Sequence, residues 1–468
     1  MQTRARLVPL IVACPLFLQN LDTSIMATAL PSIARSLDVP ALQLNLAITS
    51  YLLSLAVFLP ASGWLSERFG ARRLFCAAIV AFSAGSALCG LAQSLPQLVV
   101  FRLLQGMGGA MMVPVGRLIL LRSVPAAGMV AAMVWFTVPP TIARMIGPLV
   151  GGAIVTLSSW RWIFLINVPF GLLGVLLAWR LLPADRDNAD AGPRAPFDGW
   201  GFVLLALGLT GTLGAFELMG KDVLPAAATA AIGLAGAAAL VTYWRHSRRV
   251  AHPLIDLSIL RFSRFRTAIV GGMPLRVAIG ASPFLLPLML QLGFGLSPLA
   301  SGLLTVATAI GSLATRVVMT RAIGRFGFRR LLIGATLATS ACYAAYGLFT
   351  PQTPHVLMFV TLMLGGLVNS MVMVSMQTLG FSQIPPPRMS HATALSAMAQ
   401  QLSLSVGVVL GAALVTAAAW WHGGHPGMPQ AQDFSPAFVF IGLMTMISLL
   451  YFVRLGEGEG DEMRQPRR

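Results

Sequence analysis

The chain has 468 residues, 56% of them hydrophobic and only 10% charged, with a mean hydropathy of +0.79. So few charges cannot cover a soluble globule; the chain belongs in a bilayer. The formal net charge of +17 invites nucleic acid as a partner, but the positions of the basic residues argue against it.

A membrane helix needs about 20 mostly apolar residues. Fourteen such stretches follow one another, at 7–29, 43–63, 73–93, 98–120, 129–156, 161–182, 199–219, 223–244, 267–291, 299–320, 331–349, 355–378, 393–419 and 436–453. An even number puts both termini on one side. With that side cytoplasmic, most of the 32 Lys and Arg fall in cytoplasmic segments, and Arg35, Arg161 and Lys221 fall outside. Of the 9 tryptophans, all but Trp135 sit near span ends, as in an interfacial belt. Arg4, Arg6 and Ala27-Thr-Ala29 imitate a secretory signal, but Asp22 interrupts a long apolar run and many spans follow, so the first helix is expected to be retained. Cys14, Cys76, Cys89 and Cys342 lie in spans without metal-binding spacing, and neither a disulfide nor a metal site is expected.

In the first span, Asp22 is a carboxylate where one is expensive; it must be protonated or paired, and its protonation answers to water access, as a proton carrier requires. A helix-capping or packing role is the bland alternative. The following loop, 63–73, carries Gly63, Glu67, Arg68, Gly70, Arg72 and Arg73, whose glycines permit unusual backbone and whose charges can latch one conformation or simply set topology. In the fourth span Arg102 precedes Gly106 and Gly109, a small-residue stripe that admits a neighbouring helix, although an arginine near a span end can also snorkel outward.

The fifth span holds Pro139, Pro140, Gly147, Pro148, Gly151 and Gly152, which should kink it and leave a smooth face suited to a pivot or seal. Arg117, Arg144, Arg276 and Arg316 are further intramembrane arginines. They either line a cavity that favours carboxylate or phosphate groups, or pair internally or reach the interface. Glu217 reads as an interfacial charge, and the histidines fall in loops and are not expected to relay protons. Met371, Met373 and Met376 read as packing rather than a permissive binding surface.

Arg68-Phe-Gly-Ala-Arg-Arg73 is echoed by Arg325-Phe-Gly-Phe-Arg-Arg330, with Gly324 where the first copy has Glu67. Internal repeats of this kind build transporters from paired helical bundles. Eight spans separate the copies rather than six, so two are extra. The expected division is a six-helix bundle over 1–182, a linker over 183–198, an inserted hairpin over 199–244 turning at Gly220-Lys-Asp222, a basic linker over 245–266, a second bundle over 267–454 and a tail over 455–468. The only lysine, Lys221, is followed by Asp222, so no P-loop is present and transport would draw on an ion gradient.

In this order the motifs resemble the major facilitator superfamily, and within it the fourteen-span drug:proton antiporter family. Leu21-Asp-Thr-Ser-Ile-Met-Ala-Thr-Ala-Leu-Pro31 resembles its first-helix motif, 63–73 its loop motif, and Arg102-Leu-Leu-Gln-Gly-Met-Gly-Gly109 its fourth-helix motif. Gly147-Pro-Leu-Val-Gly-Gly152 resembles the fifth-helix antiporter motif. Trp160-Arg-Trp-Ile-Phe-Leu-Ile-Asn-Val-Pro169 and His252-Pro-Leu-Ile-Asp-Leu257 are the narrower family's cues. Gly109-Ala-Met-Met-Val-Pro-Val-Gly-Arg117 and Arg325–Arg330 are most similar to the MdtD-like group. Glu67 stands where the family usually has Asp, Ala143 where it often has Gly, and Arg144 has no counterpart in the motif.

The resemblance implies an all-α major facilitator fold of two six-helix bundles plus the inserted hairpin, with Arg102 as partner to Asp22. It implies a proton-coupled exporter of amphipathic drugs or small metabolites, in the plasma (inner) membrane with cytoplasmic termini, working by alternating access without a cofactor. The expected partners are the lipid bilayer, a small-molecule substrate and protons, not nucleic acid; a periplasmic adaptor is left open. Export of citrate-like organic anions, favoured by the arginines, and a non-transporting partner or sensor on the same fold remain as alternatives.

Overall fold

A computed structural model describes residues 2–123, 129–182, 196–218, 225–385, 388–423 and 429–456. The turn expected at Gly220-Lys-Asp222, most of the linker 183–198 and the tail beyond 456 lie outside the described residues. Those described fold into helices without a strand: α1 (Gln2–Leu37), α2 (Asn45–Phe58), α3 (Ser62–Phe69), α4 (Ala71–Leu91), α5 (Leu95–Ser123) and α6 (Met129–Leu157) come first. They are followed by α7 (Trp162–Leu165), α8 (Asn167–Leu181), α9 (Gly199–Leu218), α10 (Ala226–Ser247), α11 (Ser263–Arg266) and α12 (Met273–Leu288). The last are α13 (Pro298–Gly347), α14 (His355–Phe381), α15 (Met389–Trp421), α16 (Ala431–Thr445) and α17 (Leu449–Phe452).

Thirteen helical segments among the described residues are long and apolar enough to cross a membrane, against the fourteen apolar stretches of the sequence. The difference lies in α13. As one straight rod its 50 residues would run about 75 Å at 1.5 Å per residue, far beyond a hydrocarbon core of about 30 Å. It is not one rod, because Gly327 breaks it at φ 73° and ψ 169°. The segments on either side carry the stretches expected at 299–320 and 331–349. At its start Ser297 accepts a hydrogen bond from the Ala300 amide (3.2 Å) and Pro298 fills the first turn, so the helix begins where capping chemistry dictates.

Gly327 is the third residue of Arg325-Phe-Gly-Phe-Arg-Arg330, and Gly70 is its counterpart in the first copy. Gly70 has φ 90° and ψ 142°, between α3 and α4. Both copies therefore bend the chain at the same glycine in a left-handed conformation that a Cβ would disfavour. The repeat is conformational as well as sequential.

The chain gathers into two compact units. The first comprises Met1–Thr23, Leu46–Arg144 and Trp160–Ser258; the second comprises Ser24–Asn45, Met145–Ser159 and Ile259–Arg468. Helices α1 and α6 thus contribute to both. In the first unit α4 packs on α5, and α9 on α10. In the second, α13 packs on α14 and α12 on α15, and Leu275, Phe328, Leu332, Met376 and Phe452 share a buried apolar cluster.

Candidate functional site

A buried polar cluster in the first unit surrounds Asp22, in the middle of α1. Its Oδ2 accepts from Arg102 Nη1 at 2.7 Å, and its Oδ1 accepts from Gln105 Nε2 at 2.9 Å and Asn167 Nδ2 at 3.1 Å. A charge-assisted bond this short is strong, and the two amides satisfy the second oxygen. Arg102 has two more acceptors, the Ala47 carbonyl at 3.1 Å from Nε and Gln105 Oε1 at 2.8 Å from Nη1. The guanidinium carbon lies 4.3 Å from the centroid of the Tyr51 ring and 5.7 Å from that of Phe164. Arg102 is 1% exposed and Asp22 3%, so the arginine does not snorkel to the interface.

Helix packing explains how these side chains meet. Arg102 and Gln105 are three residues apart on α5 and share a face. Four residues after Arg102, Gly106 lets α2 approach: a Cβ there would sit 2.6 Å from Ser54 Cβ and 2.8 Å from the Tyr51 carbonyl. The Ser54 hydroxyl, donating to the Leu103 carbonyl at 2.7 Å, pins that contact and brings Tyr51 over Arg102. On α4, Ser86 accepts from Asn167 Nδ2 at 2.9 Å and donates to the Phe164 carbonyl at 2.9 Å. On the same helix, Cys89 Sγ lies 3.7 Å from Gln105 Oε1.

Gln105, Asn167, Tyr51 and Ser86 were not among the expected site residues. Two of them carried a signal: Gln105 sits inside the fourth-helix motif and Asn167 inside Trp160–Pro169, so both motifs end on the carboxylate of the first.

The loop motif is arranged within the first unit. Glu67, Arg68 and Arg73 are exposed, and a Cβ at Gly63 would meet nothing within 4 Å. Arg72 reaches the Leu182 carbonyl (3.4 Å) and lies 4.8 Å from the Trp179 ring centroid. In the second unit, the fifth-helix motif packs tightly. A Cβ on Gly151 would lie 3.1 Å from Ile25 Cα, and one on Gly152 2.8 Å from Leu299 Cα, while Gly147 and Pro148 press on Ser24 and Gly302. Nearby, Gln291 donates to the Thr28 carbonyl at 2.9 Å.

The four arginines grouped as a candidate cavity are not equivalent. Arg276 is 2% exposed and gives its Nη1 to the carbonyls of Ala268 (2.8 Å) and Ile269 (3.2 Å), in the π-helical turn before α12. It takes the internal-pairing alternative and is corrected out of the ligand-facing set. Arg117 and Arg144 are exposed within their spans, Arg117 with its guanidinium 5.9 Å from the Phe136 ring centroid. The Arg316 side chain lies outside the described residues.

Two further expectations change. Glu217, read as interfacial, is 5% exposed in α9. His246, His355 and His391 lie in helices, not loops: α10 and α15 run beyond the apolar stretches that reveal them, and α14 begins at His355. His246 is 2.7 Å from Asp198 Oδ1, which also accepts from the Gly201 amide, while Oδ2 accepts from the Leu254 amide at 3.2 Å. Burial alone would raise the Asp198 carboxyl; the bonds from His246, Gly201 and Leu254 hold it below its ordinary value. The Tyr243 hydroxyl exchanges bonds with the Ile255 amide (2.9 Å) and carbonyl (3.2 Å). The family cue 252–257 is therefore clasped to both ends of the hairpin.

The comparisons agree with this architecture. The family model described as Major Facilitator Superfamily matches residues 12–273 and 268–466. A protein of Pectobacterium atrosepticum named for multidrug resistance, MdtD, is 40% identical over 445 residues, covering 95% of this chain and 93% of its own. Its namesake in Salmonella typhimurium is 37% identical over 461 residues, covering 98% and 96%. Among solved structures, a D-xylose-proton symporter shares 17% identity with a TM-score of 0.67, covering 97% of this chain and 98% of that one, which speaks to the fold alone. With a family model spanning most of its length and relatives this similar from end to end, the chain is a multi-pass membrane transporter, not an enzyme, and belongs to the Major Facilitator Superfamily.

Proposed function

We propose that the protein is a proton-coupled exporter in which Asp22 carries the proton and Arg102 is its counter-ion. The observation that carries this reading is the buried Asp22–Arg102 pair, closed by Gln105 and Asn167. A buried ion pair contributes little net stability, but neutralising its acid leaves Arg102 without its anion and biases the protein toward another arrangement. Substrate release and proton loading at the outer face, and proton release and substrate loading at the cytoplasmic face, then follow from alternating access between two six-helix bundles, with the hairpin 199–244 as an insertion.

The relatives named for multidrug resistance favour amphipathic drugs as substrates. A second reading, export of organic anions, is supported by the exposed Arg117 and Arg144 within their spans. The distribution of basic residues supports an inner-membrane orientation with cytoplasmic termini, and the proton gradient is the proposed energy source. The loop motif 63–73 acts as a conformational latch and 147–152 as a pivot or seal.

The test is flux in proteoliposomes under an imposed pH gradient, with a cationic dye and a tricarboxylate offered separately. Export of the dye that vanishes in Asp22→Asn supports the main reading, and tricarboxylate export supports the second. Absence of gradient-driven flux of either kind overturns both substrate readings, and undiminished flux in Asp22→Asn removes Asp22 from the mechanism.

A further inference from the structure

We propose that Asn167 reads the protonation state of Asp22 by turning over its side-chain amide, and passes the change to α4 through Ser86. The inference rests on Asp22 as the proton carrier and assigns a role to a residue outside that pair.

The amide orientation is dictated by its neighbours. An ionised carboxylate only accepts, so the Asn167 atom 3.1 Å from Asp22 Oδ1 must be the NH₂ group. That nitrogen also donates to Ser86 Oγ at 2.9 Å. The other end of the amide, Asn167 Oδ1, is buried without a hydrogen-bond partner in a residue that is 0% exposed. A buried carbonyl left unsatisfied raises the free energy of this arrangement. It is matched to the other protonation state, in which Asp22 becomes a donor.

The oxygen that takes the proton is identified by its partners. Oδ2 faces the Arg102 cation at 2.7 Å, so a proton there would meet a positive charge. Oδ1 faces two neutral amides. Gln105 is pinned, because its Oε1 accepts from Arg102 Nη1 at 2.8 Å and turning over would break that bond. Asn167 has no such bond to lose at its carbonyl. A proton arriving on Asp22 Oδ1 therefore drives rotation of the Asn167 amide, after which Asp22 Oδ1–H donates to Asn167 Oδ1. Loss of the proton restores the arrangement seen here.

The titratable and charged groups facing Asp22 from the packed helices are Arg102 on α5, Tyr51 on α2 and Cys89 on α4. Asn167 supplies a neutral amide from α8. Its rotation also removes the bond to Ser86, a side-chain tie between α8 and α4 at the level of Asp22, while Ser86 keeps its bond to the Phe164 carbonyl. Asn167 is thus a positioning residue that converts a proton on α1 into a change of contact between two other helices.

The experiment is pH-difference infrared spectroscopy on the full chain in lipid, with asparagine labelled by carbon-13 at the side-chain carbonyl and the band assigned by its absence in Asn167→Ala. Should that variant fail to fold, Asn167→Ser serves for the assignment. The expected result is a downshift of the Asn167 carbonyl band, as it gains a hydrogen bond, in step with appearance of the protonated Asp22 band. The shift should disappear in Asp22→Asn. A stationary Asn167 band while Asp22 titrates overturns the amide switch and leaves Asp22 as carrier. An Asp22 that never titrates, with transport intact in Asp22→Asn, overturns both.

Discussion

Arg102 Nη1 lies 2.7 Å from Asp22 Oδ2, with both side chains 1% exposed, although 80 residues separate them in sequence. Taking both charges out of water offsets most of their attraction, so the pair is better suited to switching than to holding the fold together. The neighbouring bonds from Gln105 and Asn167 satisfy the second oxygen of the ionised carboxylate. A proton that neutralises Asp22 changes the requirements of every group around it.

Asp22→Asn should abolish pH-driven export while leaving dye binding within a few-fold of the unmodified protein. Flux and equilibrium binding, measured on the same reconstituted preparation, separate these effects. Export that persists at the original rate would place proton coupling elsewhere in the chain.

Arg102→Ala should be far more damaging to stability, since it leaves Asp22 buried without its counter-charge. Breaking one side of a buried pair costs about 3–5 kcal/mol. Thermal unfolding in detergent should show a large fall for Arg102→Ala, partly reversed when Asp22→Asn is added. Equal loss in the single and double variants would mean that Arg102 acts through its packing on Tyr51 rather than through charge.

Gly70→Ala and Gly327→Ala should destabilise the chain by similar amounts, about 1–3 kcal/mol each, because both glycines adopt left-handed backbone at equivalent points of the repeat. Melting temperatures of the two variants check this. A large loss at one site and none at the other would show that only one copy needs its bend.

Asp198→Ala should weaken the clasp between the hairpin and the 252–257 segment by roughly 0.5–1 kcal/mol, a figure discounted for partial exposure of the group. The Asp198 carboxyl is held below its ordinary value of 3.8 in the folded protein. Its contribution is therefore complete above that value and is lost as pH falls through the lower, folded one. The gap in melting temperature between the two proteins should be full at neutral pH and close on acidification. A gap that persists in strong acid would assign the effect to lost packing.

Much of the fold was legible residue by residue. The apolar stretches fall on helices, and the two within α13 separate at Gly327, inside the repeat that marks two related halves. The histidines were harder to place, because helices continue into polar residues that hydropathy does not register; His246 at the end of α10 is the instance. The arginines were legible as a set but not individually. Arg276 and Arg117 look alike in sequence, yet one is turned into the carbonyls of the π-helical turn Thr267–Gly271 that precedes its helix and the other is exposed.

By itself the sequence determined that this chain spans a bilayer many times, which end of each helix carries basic charge, and that Asp22 is a carboxylate inside a span, where it must be protonated or paired. These follow from the transfer energy of single side chains, which depends on composition along the chain and hardly on neighbours in space. Only the tertiary structure decided that Gln105 and Asn167 share one oxygen of Asp22, that Ser86 holds Asn167, and that Tyr51 covers Arg102. Those contacts depend on the rotation and close approach of helices distant in sequence, set by small residues such as Gly106, and hydrogen bonds of about 3 Å form only where that packing brings donor to acceptor.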